Sequence, residues 1–118
     1  MRRPISKVPP ESSDYGLVVR PITKGELSSV ARINDTLVST VFREANLFRA
    51  SLTIVNDSSA ALYVLKANGT ASPTNYSYRL EQYSTLEILD YIGRVTGVWA
   101  ADPNDGGAQI TEIIMVAR

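Results

Sequence analysis

Phe48-Arg-Ala-Ser-Leu-Thr-Ile-Val-Asn56 is the stretch that decides the fold. In an extended chain, Phe48, Ala50, Leu52 and Ile54 share one face, while Arg49, Ser51 and Thr53 share the other. Successive strand side chains point to opposite faces, so this alternation predicts a half-buried antiparallel strand with the apolar set inward. Asn56-Asp-Ser-Ser59 punctuates it, and Leu62-Tyr-Val-Leu-Lys-Ala67 follows as a second strand. Asn68-Gly69 is strong turn chemistry, because both residues tolerate positive φ. Beyond it, Tyr76, Tyr78 and Leu80 alternate with Ser77 and Arg79, which puts the two tyrosines on one strand face.

The same reading extends in both directions. Thr85-Leu-Glu-Ile-Leu89, Val95-Thr-Gly-Val-Trp-Ala100 and Gln109-Ile-Thr-Glu-Ile-Ile-Met-Val116 are further strands toward the C-terminus. Upstream, Ser28-Ser-Val-Ala-Arg-Ile33 and Leu37-Val-Ser-Thr-Val-Phe42 flank a turn at Asn34-Asp35, and Tyr15-Gly-Leu-Val-Val-Arg-Pro-Ile22 is a short extended segment. A helix after Lys24 is disfavoured by β-branched residues, and Glu44-Ala-Asn-Leu-Phe-Arg49 has room for one helical turn at most. Val, Ile and Thr supply 29 of the 118 residues, which suits pleated, partly buried surfaces. No stretch offers the crossover helix that a parallel βαβ unit requires. The prediction is an all-β chain: an antiparallel β-sandwich, jelly-roll-like or Ig-like, of about eight short strands.

The length fits a single domain, taken as residues 15–118, preceded by an extended arm over residues 1–14. That arm holds three prolines and little to bury. The formal net charge is zero, yet residues 1–24 carry +3 through Arg2, Arg3, Lys7, Arg20 and Lys24 against Glu11 and Asp14. Overall neutrality speaks against a general nucleic-acid binder. A basic arm instead suits contact with an acidic partner surface, and Arg2, Arg3 and Lys7 are the expected contact residues. No apolar run approaches the ~20 residues needed to cross a bilayer, and the N-terminus lacks the pattern of a signal peptide. The four Asn-X-Ser/Thr tripeptides, beginning at Asn34, Asn56, Asn68 and Asn75, are then read as turn chemistry.

The chain contains neither cysteine nor histidine. Thiol nucleophiles, imidazole bases, disulfides and thiolate zinc sites are thereby excluded. No phosphate-binding glycine loop is present, and none of the 21 Ser and Thr residues sits in a nucleophile elbow. Asp102, Asp105 and Glu112 are the nearest carboxylate group, with Glu81, Glu87 and Asp90 near strand ends. Asp102-Pro-Asn-Asp-Gly-Gly107 is oxygen-rich but lacks EF-hand spacing; it is read as an ordinary turn, with a calcium or magnesium loop as the alternative. The expectation is a protein that is not an enzyme and uses no cofactor or metal. Trp99 is read as a core anchor or, failing that, an interface anchor, and Tyr76 and Tyr78 as possible interface aromatics.

Residues 52–80, together with Gly93-Arg-Val-Thr-Gly-Val-Trp-Ala100 and Ala108-Gln-Ile-Thr-Glu112, resemble small β-rich structural proteins of tailed bacteriophages. The resemblance spans about residues 48–114 and carries no catalytic residues. It implies a virion structural protein, foremost a capsid cement or decoration protein bound to the major capsid protein or another virion protein. A neck or tail accessory protein and a glycan- or receptor-binding sandwich are the alternatives. It further implies assembly in the host cytoplasm and a homo-oligomer, with a trimer favoured by the local symmetry of a shell.

Overall fold

A computed structural model describes residues 24–117 and contains eight strands. They are β1 (Lys24–Asn34), β2 (Thr40–Arg43), β3 (Arg49–Asn56), β4 (Leu62–Lys66), β5 (Tyr78–Leu80), β6 (Thr85–Ile88), β7 (Val95–Trp99) and β8 (Gly107–Ala117). The arm of residues 1–14, with Arg2, Arg3 and Lys7, and the segment 15–22 lie outside the described residues.

The strands form two four-stranded antiparallel sheets, ordered β1-β8-β3-β6 and β2-β7-β4-β5. The pairing is nested: β4 pairs with β5, β3 with β6, β2 with β7 and β1 with β8. Two further ladders, β3·β8 and β4·β7, close each sheet. The predicted turn at Asn34-Asp35 is not formed there: Asn34 is the last residue of β1, paired with Gly107, and the chain bends at Leu37–Val38 as it passes from one sheet to the other.

Between the sheets lie Phe42, Leu52, Ile54, Leu62, Val64, Leu80, Ile88, Val95, Trp99, Ala108 and Ile110. Trp99 is the largest side chain of this core, at 1% exposure, and its ring lies 5.8 Å from that of Phe42. A polar network holds it in place. The indole N–H donates to Asn56 Oδ1 at 3.0 Å, and the Asn56 amide donates to the carbonyls of Ala60 and Leu80. Gly97 lies directly under the Phe42 ring, where a Cβ would collide with it. A larger residue on β7 would therefore drive the ring out of the core.

Every residue of β7 is buried, which a two-faced strand with one wet side would not show. The reason is residues 67–77, which leave β4 through Asn68-Gly69, with Gly69 at φ 123°. They fold over the outer face of the second sheet, where Ala71 packs with Leu65 and Val98 in a small second core. The Ala71 N–H donates to the Thr96 hydroxyl at 3.1 Å and pins this cover down.

The alternation of the opening stretch holds from Leu52 to Asn56 and fails before it. A β-bulge between Arg49 and Ser51 places one extra residue, Ala50, against β8. The bulge reverses the phase: Phe48 is 63% exposed and Arg49 is buried. Glu44–Arg49 forms a turn closed by an Arg49 N–H to Asn46 carbonyl bond rather than a helical turn.

Candidate functional site

The two ends of the sandwich differ in chemistry. One end gathers Asp35, Asp57 and Asp105; the other gathers exposed apolar side chains above a buried ion cluster.

At the acidic end each carboxylate is engaged in holding a turn. Asp35, itself buried, accepts the Ser58 hydroxyl at 2.9 Å and the Asn104 N–H at 3.1 Å. Asp105 accepts the Ser59 N–H at 3.2 Å. Asp57 accepts the Gly107 N–H at 2.7 Å and a two-pronged contact from Arg32, at 2.8 and 2.9 Å. Asn104 in the 102–107 loop takes positive φ (59°), as the turn reading allows. Among the described residues no group of three or more acidic side chains is arranged to hold a metal ion.

Asp57 is held below the ordinary carboxylate value of 3.8 mainly by the Arg32 hydrogen bond, and Asp105 is lowered by its hydrogen bonds from Ser59. A carboxyl whose folded-state pKa is depressed adds stability above its unfolded pKa and loses it as pH falls through the folded one. Denaturant titrations between pH 6 and about pH 2 are therefore expected to show an acid limb beginning near pH 4. Asp57→Asn should flatten that limb, and an unchanged pH slope would contradict this account of the corner.

The opposite end is built around the Arg49 side chain that the bulge turns inward. Its Nε donates to Glu112 Oε2 at 2.8 Å, its Nη1 to the carbonyls of Gly93 (2.8 Å) and Tyr91 (3.2 Å), and its Nη2 to the Glu44 carbonyl at 2.6 Å. Arg43 approaches the other Glu112 oxygen at 3.4 Å. One guanidinium thus ties together the 44–49 turn, the 91–94 loop and β8. An Asn46 N–H to Ile92 carbonyl bond of 2.7 Å joins the two loops again. Leu47, Phe48 and Ile92 are presented on this fixed base, with Leu47 78% exposed. A shallow cavity of about 320 Å³ lies beside it, lined by Leu27, Ser28, Ser29, Glu112 and Ile114.

This arrangement can bind but is poorly suited to acid–base work. Both oxygens of Glu112 face guanidinium groups. It also stands five residues along β8 from Gly107, about 17 Å from the loop that carries Asp102 and Asp105. The predicted carboxylate group is therefore not assembled. Glu87 and Asp90 are exposed, Asp90 lying 3.7 Å from Lys66.

Of the aromatic expectations, Trp99 as a core anchor holds, whereas its interface role and the shared face of Tyr76 and Tyr78 do not. Trp99 is buried in the core and presents nothing to a partner, because both faces of β7 are covered. Tyr76 and Tyr78 do not share a face. Tyr78 stands opposite Val64 and packs on the main core, with the Lys66 ammonium 5.7 Å from its ring. Tyr76 precedes β5 and meets Tyr63 on the outer side, ring centroids 4.9 Å apart and tilted by 49°, where Arg79 lies 5.9 Å from the Tyr63 ring. The arginines are equally dispersed: Arg49 and Arg43 in the ion cluster, Arg32 at the acidic corner, and Arg79 beside Glu81.

The sequence reading missed the Arg43–Glu112–Arg49 cluster. One signal was present. Glu112 falls in phase with Ala108 and Ile110, the inward set of β8, and a carboxylate there requires a buried cation. No protein-family model matches the chain, and no characterised protein of similar sequence matches it.

Proposed function

We propose that this chain is a virion structural protein of a tailed bacteriophage, most specifically a cement or decoration protein bound to the head shell. The strand order carries the reading. Sheets ordered β1-β8-β3-β6 and β2-β7-β4-β5, with ladders nested about the β4–β5 connection, correspond to a jelly roll of two Greek keys. Such double-sheet folds serve in viral capsid and lectin domains and in cupins. Cupin-type metal chemistry on histidine ligands has no counterpart in a chain with no histidine. The glycan-binding alternative loses its main support, since Tyr76 and Tyr78 face different sides.

The chemistry of the apolar end supports an assembly role. Leu47, Phe48 and Ile92 lie toward one end, on loops held by an ion cluster. A pre-ordered apolar surface loses little conformational freedom when a partner covers it. The basic residues Arg2, Arg3 and Lys7 add the expected contact with an acidic shell surface.

Quantitative mass spectrometry of purified particles of the encoding phage tests the proposal. The expected result is a copy number in proportion to the major capsid protein. A ring-like copy number would move the chain to the neck or tail, and absence from the particle would overturn the virion reading.

A further inference from the structure

Strand β1 is 11 residues long and, among the described residues, stands at the edge of its sheet, paired on one side only, with β8. A long edge strand offers a row of backbone donors and acceptors to any chain that can match it. Neither Pro nor a bulge interrupts β1, and its register with β8 is unbroken from Lys24 to Asn34.

We infer that this edge binds a second copy of the same chain, β1 against β1 in antiparallel register about a two-fold axis at Ser29. The strand's own sequence selects that register. In a two-fold antiparallel pair, opposed residues must have numbers of the same parity, so the axis passes through one residue. Ser29 is the midpoint of β1, and centring there gives full overlap of all 11 residues. The same register sets Glu26 of each copy opposite Arg32 of the other, on the outer face of the sheet. Opposite charges directly across a ladder stabilise it, and like charges would oppose it. On the inner face Leu27, 58% exposed in the single chain, meets Ala31, and two small Ser29 side chains meet at the axis. Either neighbouring register shortens the overlap and parts Glu26 from Arg32.

Arg32 is already ordered for this contact. Asp57 accepts from both of its terminal nitrogens, which leaves Nε and the exposed flank of the guanidinium for a second carboxylate. Among the described residues Glu26 makes no ion pair of its own. The result is a continuous eight-stranded sheet across two sandwiches, with both β1 edges removed. A shell lattice had suggested a trimer; the edge chemistry favours a two-fold contact instead. This inference is independent of the virion reading, because it concerns the free chain.

The absence of native cysteine makes the test direct. Opposed residues in an antiparallel pair have Cα atoms about 4.5–5.5 Å apart, within disulfide range. The 118-residue chain carrying Ser29→Cys should oxidise to a covalent dimer. Ser28→Cys should not, because each copy then stands opposite Val30 and the two thiols sit on a diagonal. By light scattering the wild-type chain should run at twice its 12.9 kDa mass. Glu26→Arg and Arg32→Glu should each weaken the dimer about tenfold or more, and mixing the two variants should restore it. A monomer, a trimer, or cross-linking at Ser28 in preference to Ser29 would overturn the proposal. So would a 118-residue monomer that dimerises only after residues 1–23 are removed, which would assign the edge to the chain's own N-terminal segment.

Discussion

Replacing Arg49 with methionine is expected to destabilise the domain by about 3–5 kcal/mol, the usual cost of breaking a buried ion pair from one side. The cost arises mainly from what is left behind. Glu112 would keep only Arg43, at 3.4 Å, and the carbonyls of Glu44, Tyr91 and Gly93 would lose a shared donor. Each buried acceptor left without a partner costs about 1–3 kcal/mol. Lysine should rescue little, because one ammonium cannot serve four acceptors on three segments in the way a planar guanidinium does. Urea unfolding of Arg49→Met, Arg49→Lys and Arg49→Met with Glu112→Leu decides the point. Removing the charge partner as well should recover part of the loss. Near-wild-type stability of the single Met variant would show that the cluster does not hold this end together.

Trp99→Ala is the second large effect, expected to cost about 3–5 kcal/mol. Trp99 packs beside Phe42 and gives its N–H to Asn56, so alanine leaves a cavity and removes one of the two donors to Asn56 Oδ1, the Ser58 N–H remaining. Domains of this size commonly have a total stability of about 5–15 kcal/mol, so the variant should unfold at much lower denaturant or fail to accumulate. Trp99→Phe separates the two contributions: it keeps most of the volume and loses only the indole N–H. A loss of under about 1 kcal/mol for alanine would contradict the placement of Trp99 at the centre of the core.

How much of this was legible in the sequence depends on the range of the cause. Strand identity is local, and β3, β4, β6, β7 and β8 stand within a residue or two of their alternating stretches. Phase is less secure. Ala50 is equally at home on either face, so nothing in the pattern announces the bulge that exposes Phe48 and buries Arg49. Pairing order is a property of distant segments, and no local pattern joins β1 to β8 or β2 to β7. The tyrosines failed for a related reason. Tyr76 lies before β5 rather than in it, so strand parity does not apply to it. The carboxylates of the acidic corner were visible as turn formers, but their mutual closeness required the β1–β2 and β7–β8 connections to meet.

We propose that the end bearing Leu47, Phe48 and Ile92 seats on a virion surface. Cryo-electron microscopy of the native particle tests it most directly. Sandwich-shaped density repeating with the shell lattice is expected, with Leu47 and Phe48 buried against the capsid protein. Density in which that end faces solvent, or a particle surface without the sandwich, would contradict it.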